Sequence, residues 1–117
     1  MTIRVKNLRL RTMIGVNEWE RTQKQDVVIQ IEYQYDADAA IRSDAIAEAV
    51  DYKAMKQRIL ADVEQSQFNL LETLAEKVLT LVMRDSRVVR ATVEVEKPHA
   101  LRFADGVSAS LTAQRTP

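Results

Sequence analysis

Val27-Val28-Ile29-Gln30-Ile31-Glu32-Tyr33-Gln34-Tyr35 is the stretch that decides the fold. Val27, Ile29, Ile31, Tyr33 and Tyr35 alternate with Val28, Gln30, Glu32 and Gln34, and a period of two over this length predicts a half-buried strand. Upstream, Ile3, Val5, Leu8 and Leu10 predict a strand that runs to Thr12-Met13-Ile14-Gly15. Its alternation slips by one near Asn7, the mark of a bulge. Gly15 to Gln25 reads as a polar loop. Downstream, Asp36 to Asp51 is rich in Ala, Asp and Ser and reads as a connection with a short helical turn. From Tyr52, Met55, Ile59, Leu60 and Val63 follow helical spacing to about Gln65. A second helix starts near Asn69, with Leu71, Leu74, Ala75, Val78 and Val82 on one face. After Arg84-Asp85-Ser86-Arg87, Val89, Ala91, Val93 and Val95 alternate again, and Val107, Ala109 and Leu111 form a last strand.

The order predicts an α+β domain spanning residues 1–117, a four-stranded antiparallel sheet with two helices on one face, ββααββ. Clean alternation gives each strand one buried face, as such a layer requires. Two sheet edges are left unblunted, so a homo-oligomer joined edge to edge is expected.

Composition removes several functional classes. Seventeen basic and 17 acidic residues cancel, which gives no support for nucleic-acid or membrane attraction. There is no cysteine, so neither disulfides nor thiolate chemistry arise, and the single histidine, His99, excludes a His-cluster zinc site. No apolar run approaches the ~20 residues of a membrane span. The first residues lack the apolar centre of a signal peptide, so a cytoplasmic location is expected.

Few polar residues stand out. Lys97 keeps the parity of Val89, Ala91, Val93 and Val95 and so points to the apolar face, where burial disfavours its charge and suits it to proton transfer. Alternatively the strand ends at Glu96 and Lys97 snorkels outward. Asn69-Leu70-Leu71-Glu72 has the spacing of a helix N-cap and its partner. A carboxylate there can also accept a ligand's N–H groups beside free backbone donors, and spacing does not separate the two roles. Tyr52 opens a helix and is of a type that more often supplies packing area. Glu18 and Glu20 sit in a polar loop. His99 and Arg102 form a small cationic loop after Pro98, and Arg4, Lys6, Arg9 and Arg11 line the first strand.

Taken in order, Ile14-Gly15 with Trp19-Glu20, Val50-Asp51-Tyr52, Asn69-Leu70-Leu71-Glu72 and Lys97-Pro98 resemble the dihydroneopterin aldolase family over about Ile3 to Leu111. The resemblance implies the tunnelling fold (T-fold), four subunits joined in a ring, two rings stacked as an octamer, and active sites between neighbours. It implies that Glu72 anchors a pterin with backbone groups of Leu71 and Val50, that Lys97 moves protons, that Tyr52 comes from the adjacent subunit, and that Glu20 positions Lys97. It implies a small-molecule pterin substrate and no metal or organic cofactor. Lys6 to Thr12 and His99 to Asp105 resemble the family's epimerase branch, whose reaction is inversion at the 2' carbon of dihydroneopterin triphosphate to give dihydromonapterin triphosphate. Arg102 and His99, then Arg9 and Arg11, would meet the triphosphate. The alternative within the family is the aldolase reaction, giving 6-hydroxymethyl-7,8-dihydropterin and glycolaldehyde. A pterin-binding or scaffold protein without activity would need only the strand edges and not this set of polar residues.

Overall fold

The computed structural model describes residues 1–116. Strand β1 is Thr2–Ile14 and β2 is Gln25–Tyr35. A short helix α1 (Asp38–Ser43) and helix α2 (Tyr52–Gln65) follow, then a two-residue strand β3 (Gln67–Phe68) and helix α3 (Leu71–Met83). The chain ends in β4 (Val88–Pro98) and β5 (Gly106–Gln114).

The four long strands pair antiparallel in the order β1-β2-β4-β5, as the alternation predicts. The expected four-stranded sheet needs one correction. Strand β3 adds a fifth member, parallel to β1 through Met13–Gln67 and Ile14–Phe68, so the sheet is mixed. Two residues between helices cannot display a period, which is why the pattern hides them. The expected helical turn before Asp51 is α1, followed by a 3-10 turn at Ile46–Glu48.

The core lies between the sheet and the helices α2 and α3. Val27, Ile29, Ile31 and Tyr33 from β2 and Val93 and Val95 from β4 meet Met55, Ile59 and Val63 of α2 and Leu74, Val78 and Val82 of α3, all essentially buried. Burial pushes the Tyr33 hydroxyl up to about 12, so it stays a donor, aimed at the Val50 carbonyl. Thr12 is also fully buried. Its hydroxyl donates to the Val63 carbonyl at 2.7 Å and fastens the end of β1 to the end of α2.

Two irregularities in register matter. The slip near Asn7 is a break between Val5 and Leu8 in the β1–β2 ladder, with Asn7 at φ 54°. A second break, opposite Gln34 and Tyr35, falls at the start of β4. There Val88 takes the buried position, and Val89, expected inside, is 46% exposed. A bulge places two residues of one strand against one of its partner, so the face flips once. Beyond it the parity holds from Ala91 through Val95 to Lys97.

Candidate active site

Lys97 lies on the helix-facing side of β4, as its parity predicts. Its Nζ donates to Glu20 Oε2 at 2.7 Å, and the two side chains are only 14% and 7% exposed. Glu20 is therefore no solvated loop acid. It sits in a 3-10 turn, Trp19–Arg21, that folds back over the end of β1. Its Oε1 accepts from the Asn17 N–H, and its Oε2 also accepts from the Gln25 side-chain amide. The hydrogen bond from Lys97 is the main reason the Glu20 carboxyl is held below the usual carboxylate range; burial opposes this, and Asn17 and Gln25 reinforce it.

Gly15 makes room for this arrangement. Its φ is +133°, a conformation that L side chains rarely adopt, and an added Cβ would collide with the Glu20 carboxylate. The backbone is pinned there because the Gly15 N–H donates to the Phe68 carbonyl at 2.9 Å. Gln25 is a site residue that the sequence pattern passed over. Besides Glu20 it donates to the Ile14 carbonyl. It shares the inward parity of Val27 and Ile29, the same signal that singled out Lys97.

Glu72 and Leu71 stand at the start of α3, and the expected capping role is corrected. The N-cap position is Leu70, which makes no side-chain cap hydrogen bond. Asn69 instead accepts from the Arg21 guanidinium at 3.1 Å, tying the Glu20 turn to the helix start. Glu72 is thus an exposed carboxylate beside the first helical N–H groups, which have no partner within the helix. Together with Ile14, Leu71, Lys97, Leu101 and Val107 it lines a cleft of about 320 Å³. Apolar walls, a carboxylate rim beside backbone donors and an ammonium at the base suit a flat heterocycle with an N–H-rich edge.

Val50 and Tyr52 are elsewhere. Asp51 caps α2 by accepting from the N–H groups of Lys53 and Ala54, which sets Tyr52 as its first residue, 54% exposed. Val50 lies over Tyr33. Tyr33 pairs with Ala91, six extended residues before Lys97, or about 20 Å along the strand. The two groups of expected site residues therefore lie at opposite ends of the sheet.

The cationic residues also divide. Arg9, Arg11 and His99 line one groove, while Arg102 lies 5.7 Å from the centre of the Phe103 ring on an exposed loop. Among the described residues no three His, Asp or Glu groups could hold a metal ion, and no helix is long and apolar enough to cross a membrane.

An α+β layer with a largely buried Lys–Glu pair beside a cleft suited to an N–H-rich heterocycle fits the class of acid–base enzymes. The comparisons with known proteins narrow it. The family profile described as "FolB: Dihydroneopterin aldolase" matches residues 3–112, and the chain belongs to that family. It is 45% identical to a dihydroneopterin triphosphate 2'-epimerase of Escherichia coli (strain K12) over 113 residues, 97% of this chain and 94% of that one. It is 31% identical to the dihydroneopterin aldolase of the same strain, over 88% of this chain and 84% of that one. The crystal structure of E. coli dihydroneopterin aldolase in complex with neopterin superposes with a TM-score of 0.91 at 28% identity, covering 97% of this chain and 98% of that one.

The sign of the Glu20 effect gives a test. Because its carboxyl is held below the ordinary 4.5, it stabilises the fold above that pH, and the contribution is lost as pH falls through the lower folded value. Urea unfolding across the acid range should show this loss in the parent and a flatter acid limb in Glu20→Gln. Gly15→Ala should flatten it similarly by displacing the carboxylate; identical limbs in all three proteins would show that the pairing does not hold in solution.

Proposed function

We propose that this protein inverts the 2' carbon of dihydroneopterin triphosphate, giving dihydromonapterin triphosphate. The observation that carries the chemistry is Lys97, hydrogen-bonded to Glu20, in the lining of a cleft that Glu72 also lines. The choice of branch is supported by the higher identity to an epimerase than to an aldolase of one organism.

Glu72 and the backbone at Leu71 receive the N–H-rich edge of the pterin, and the apolar walls cover its faces. Lys97 moves protons, held in place by Glu20, and Tyr52 works on the side-chain hydroxyls. The reaction needs a base to take the 2'-hydroxyl proton while the bond between the 1' and 2' carbons breaks. Its electrons flow into the protonated ring imine, which is the sink, and the 2' carbon becomes an aldehyde. Rotation of the aldehyde and re-addition through its other face restores the bond with inverted configuration. General acid–base groups suffice for each step. Release of the aldehyde fragment instead would give the aldolase outcome.

The half-sites need a second copy to meet. Edge-to-edge joining into a ring of four, stacked as an octamer, would bring Val50 and Tyr52 of one subunit to Lys97 and Glu72 of the next. Several features support this. The β5 edge, and β1 before Met13, have no partner strand among the described residues. The radius of gyration is 15.5 Å, above the roughly 13 Å of a compact chain of this length. Large apolar side chains are exposed at both half-sites, Trp19, Leu70 and Leu101 at one and Ile41, Ile46 and Tyr52 at the other.

Incubation with dihydroneopterin triphosphate should yield the 2' epimer, resolved chromatographically, with little glycolaldehyde. Cleavage without epimer would transfer the protein to the aldolase branch. Lys97→Ala should slow the chemical step by at least ~100-fold, the scale of a lost acid–base group.

Shared sites make a further prediction. Lys97→Ala and Tyr52→Phe, each impaired alone, should regain part of the parent rate when unfolded together and reassembled, because some interfaces then unite two intact half-sites. No gain on mixing would place each complete site within one subunit.

A further inference from the structure

Residues 97–101 form a wall with two sides. Lys97, Ala100 and Leu101 line the cleft beneath Glu72. Pro98 and His99 line a separate groove of about 360 Å³, shared with Arg9, Arg11, Asp26 and Val28. Arg9 and Arg11 are exposed and alternate with the buried Leu10 and Thr12, so they stand on the face of the sheet turned away from the helices. His99 reaches the groove because the chain turns through φ 67° immediately after Pro98.

The groove is a net cation. Arg11 is steered by Asp26 at 3.3 Å and by the Lys24 carbonyl at 3.1 Å, whereas Arg9 has no ion pair among the described residues. Two guanidiniums against one carboxylate, with an imidazole opposite and an apolar floor of Val28 and Pro98, fit a polyphosphate. Arginine's planar donors grip phosphate oxygens two at a time. The distance also fits. The Cα atoms of Lys97 and His99, two residues apart, are separated by at most about 7 Å, a gap short enough for a triphosphate attached beyond the reacting carbons to cross.

We infer that the triphosphate of the substrate is held in this groove, by Arg9 and Arg11 with His99, on the opposite side of the 97–101 wall from the pterin. The inference rests on the proposed epimerase reaction and assigns its phosphate recognition. Arg102 lines neither the cleft nor the groove; its guanidinium lies beside the Phe103 ring, which is fully exposed.

The test compares kcat/KM for dihydroneopterin triphosphate and for unphosphorylated dihydroneopterin in the parent and in Arg9→Ala, with inorganic tripolyphosphate as a competing probe. Arg9→Ala should lower the preference for the triphosphate by on the order of 10- to 100-fold, the scale of a lost charge-assisted contact, and tripolyphosphate inhibition should weaken in parallel. Asp26→Asn, which frees Arg11, should shift tripolyphosphate inhibition the opposite way. Both effects should shrink with added salt, since the groove is solvent-exposed. A parent that prefers the triphosphate, with that preference intact in Arg9→Ala, overturns the groove and leaves the epimerase reading standing. The groove is equally overturned if the whole selective loss appears in Arg102→Ala. A parent with no preference for the triphosphate overturns the epimerase reading and the groove with it.

Discussion

A buried lysine needs a counter-charge, and the Lys97–Glu20 pair is the interaction on which the rest of the site depends. Two largely buried ionic side chains are stabilised when hydrogen bonds meet their charge. Here the Glu20 oxygens are met by Asn17 and Gln25 as well as by Lys97. Removing either partner would leave the other's charge uncompensated in a largely buried setting. The pair therefore acts as a positional lock between the end of β4 and the turn after β1, which are 77 residues apart.

That lock draws in neighbouring parts. Gly15 has no side chain, so the carboxylate can lie against the backbone, and Phe68 of β3 holds that backbone in place. Arg21, next to Glu20, reaches Asn69 and links the turn to the start of α3, where Glu72 stands. Strand β3 is only two residues long, yet it joins the turn, the helix start and the sheet edge. Lys97, proposed to move protons, and Glu72, proposed to hold the heterocycle, are thus set in one frame. Their relative position depends on packing rather than on either side chain's own freedom, as catalysis by orientation requires.

The region of Val50 and Tyr52 obeys a different logic. Asp51 caps α2 and fixes Tyr52 at its first turn without help from the sheet end that carries Lys97. The long antiparallel strands keep the two ends apart, since a strand of eleven residues is stiff over its whole length. An elongated subunit with edges unpaired among the described residues would have a physical reason to assemble if, as proposed, its site is divided: the copies would complete both the sheet and the catalytic group.

Much of this was legible in the sequence. Period-two alternation marked the four long strands because β1, β2 and β4 each have one wet and one dry face, whereas edge strand β5 buries no residue and leaves Leu111 40% exposed; helical spacing marked α2 and α3 by one buried face each. The parity of β4 placed Lys97 inside, and the slip at Asn7 announced the bulge in β1. The family likeness proposed Glu20, Tyr52 and Glu72 as site residues; the structure sets Glu20 against Lys97 and leaves Tyr52 apart from both. What the pattern did not carry were effects decided by contacts distant in sequence. The bulge opposite Tyr35 exchanged Val88 for Val89 because register is settled between strands. The cap position falls on Leu70, and Asn69 instead accepts from Arg21, 48 residues away. Strand β3 exists only because β1 passes beside it. Gln25 had the right parity but no meaning until Glu20 folded over Gly15, and Arg9, Arg11 and His99 became a groove apart from Arg102 only when the chain turned after Pro98. Local periodicity is written along the chain, since it reflects burial of one face at a time; pairing, capping and the grouping of charges depend on which segments meet, and only the tertiary structure decides that.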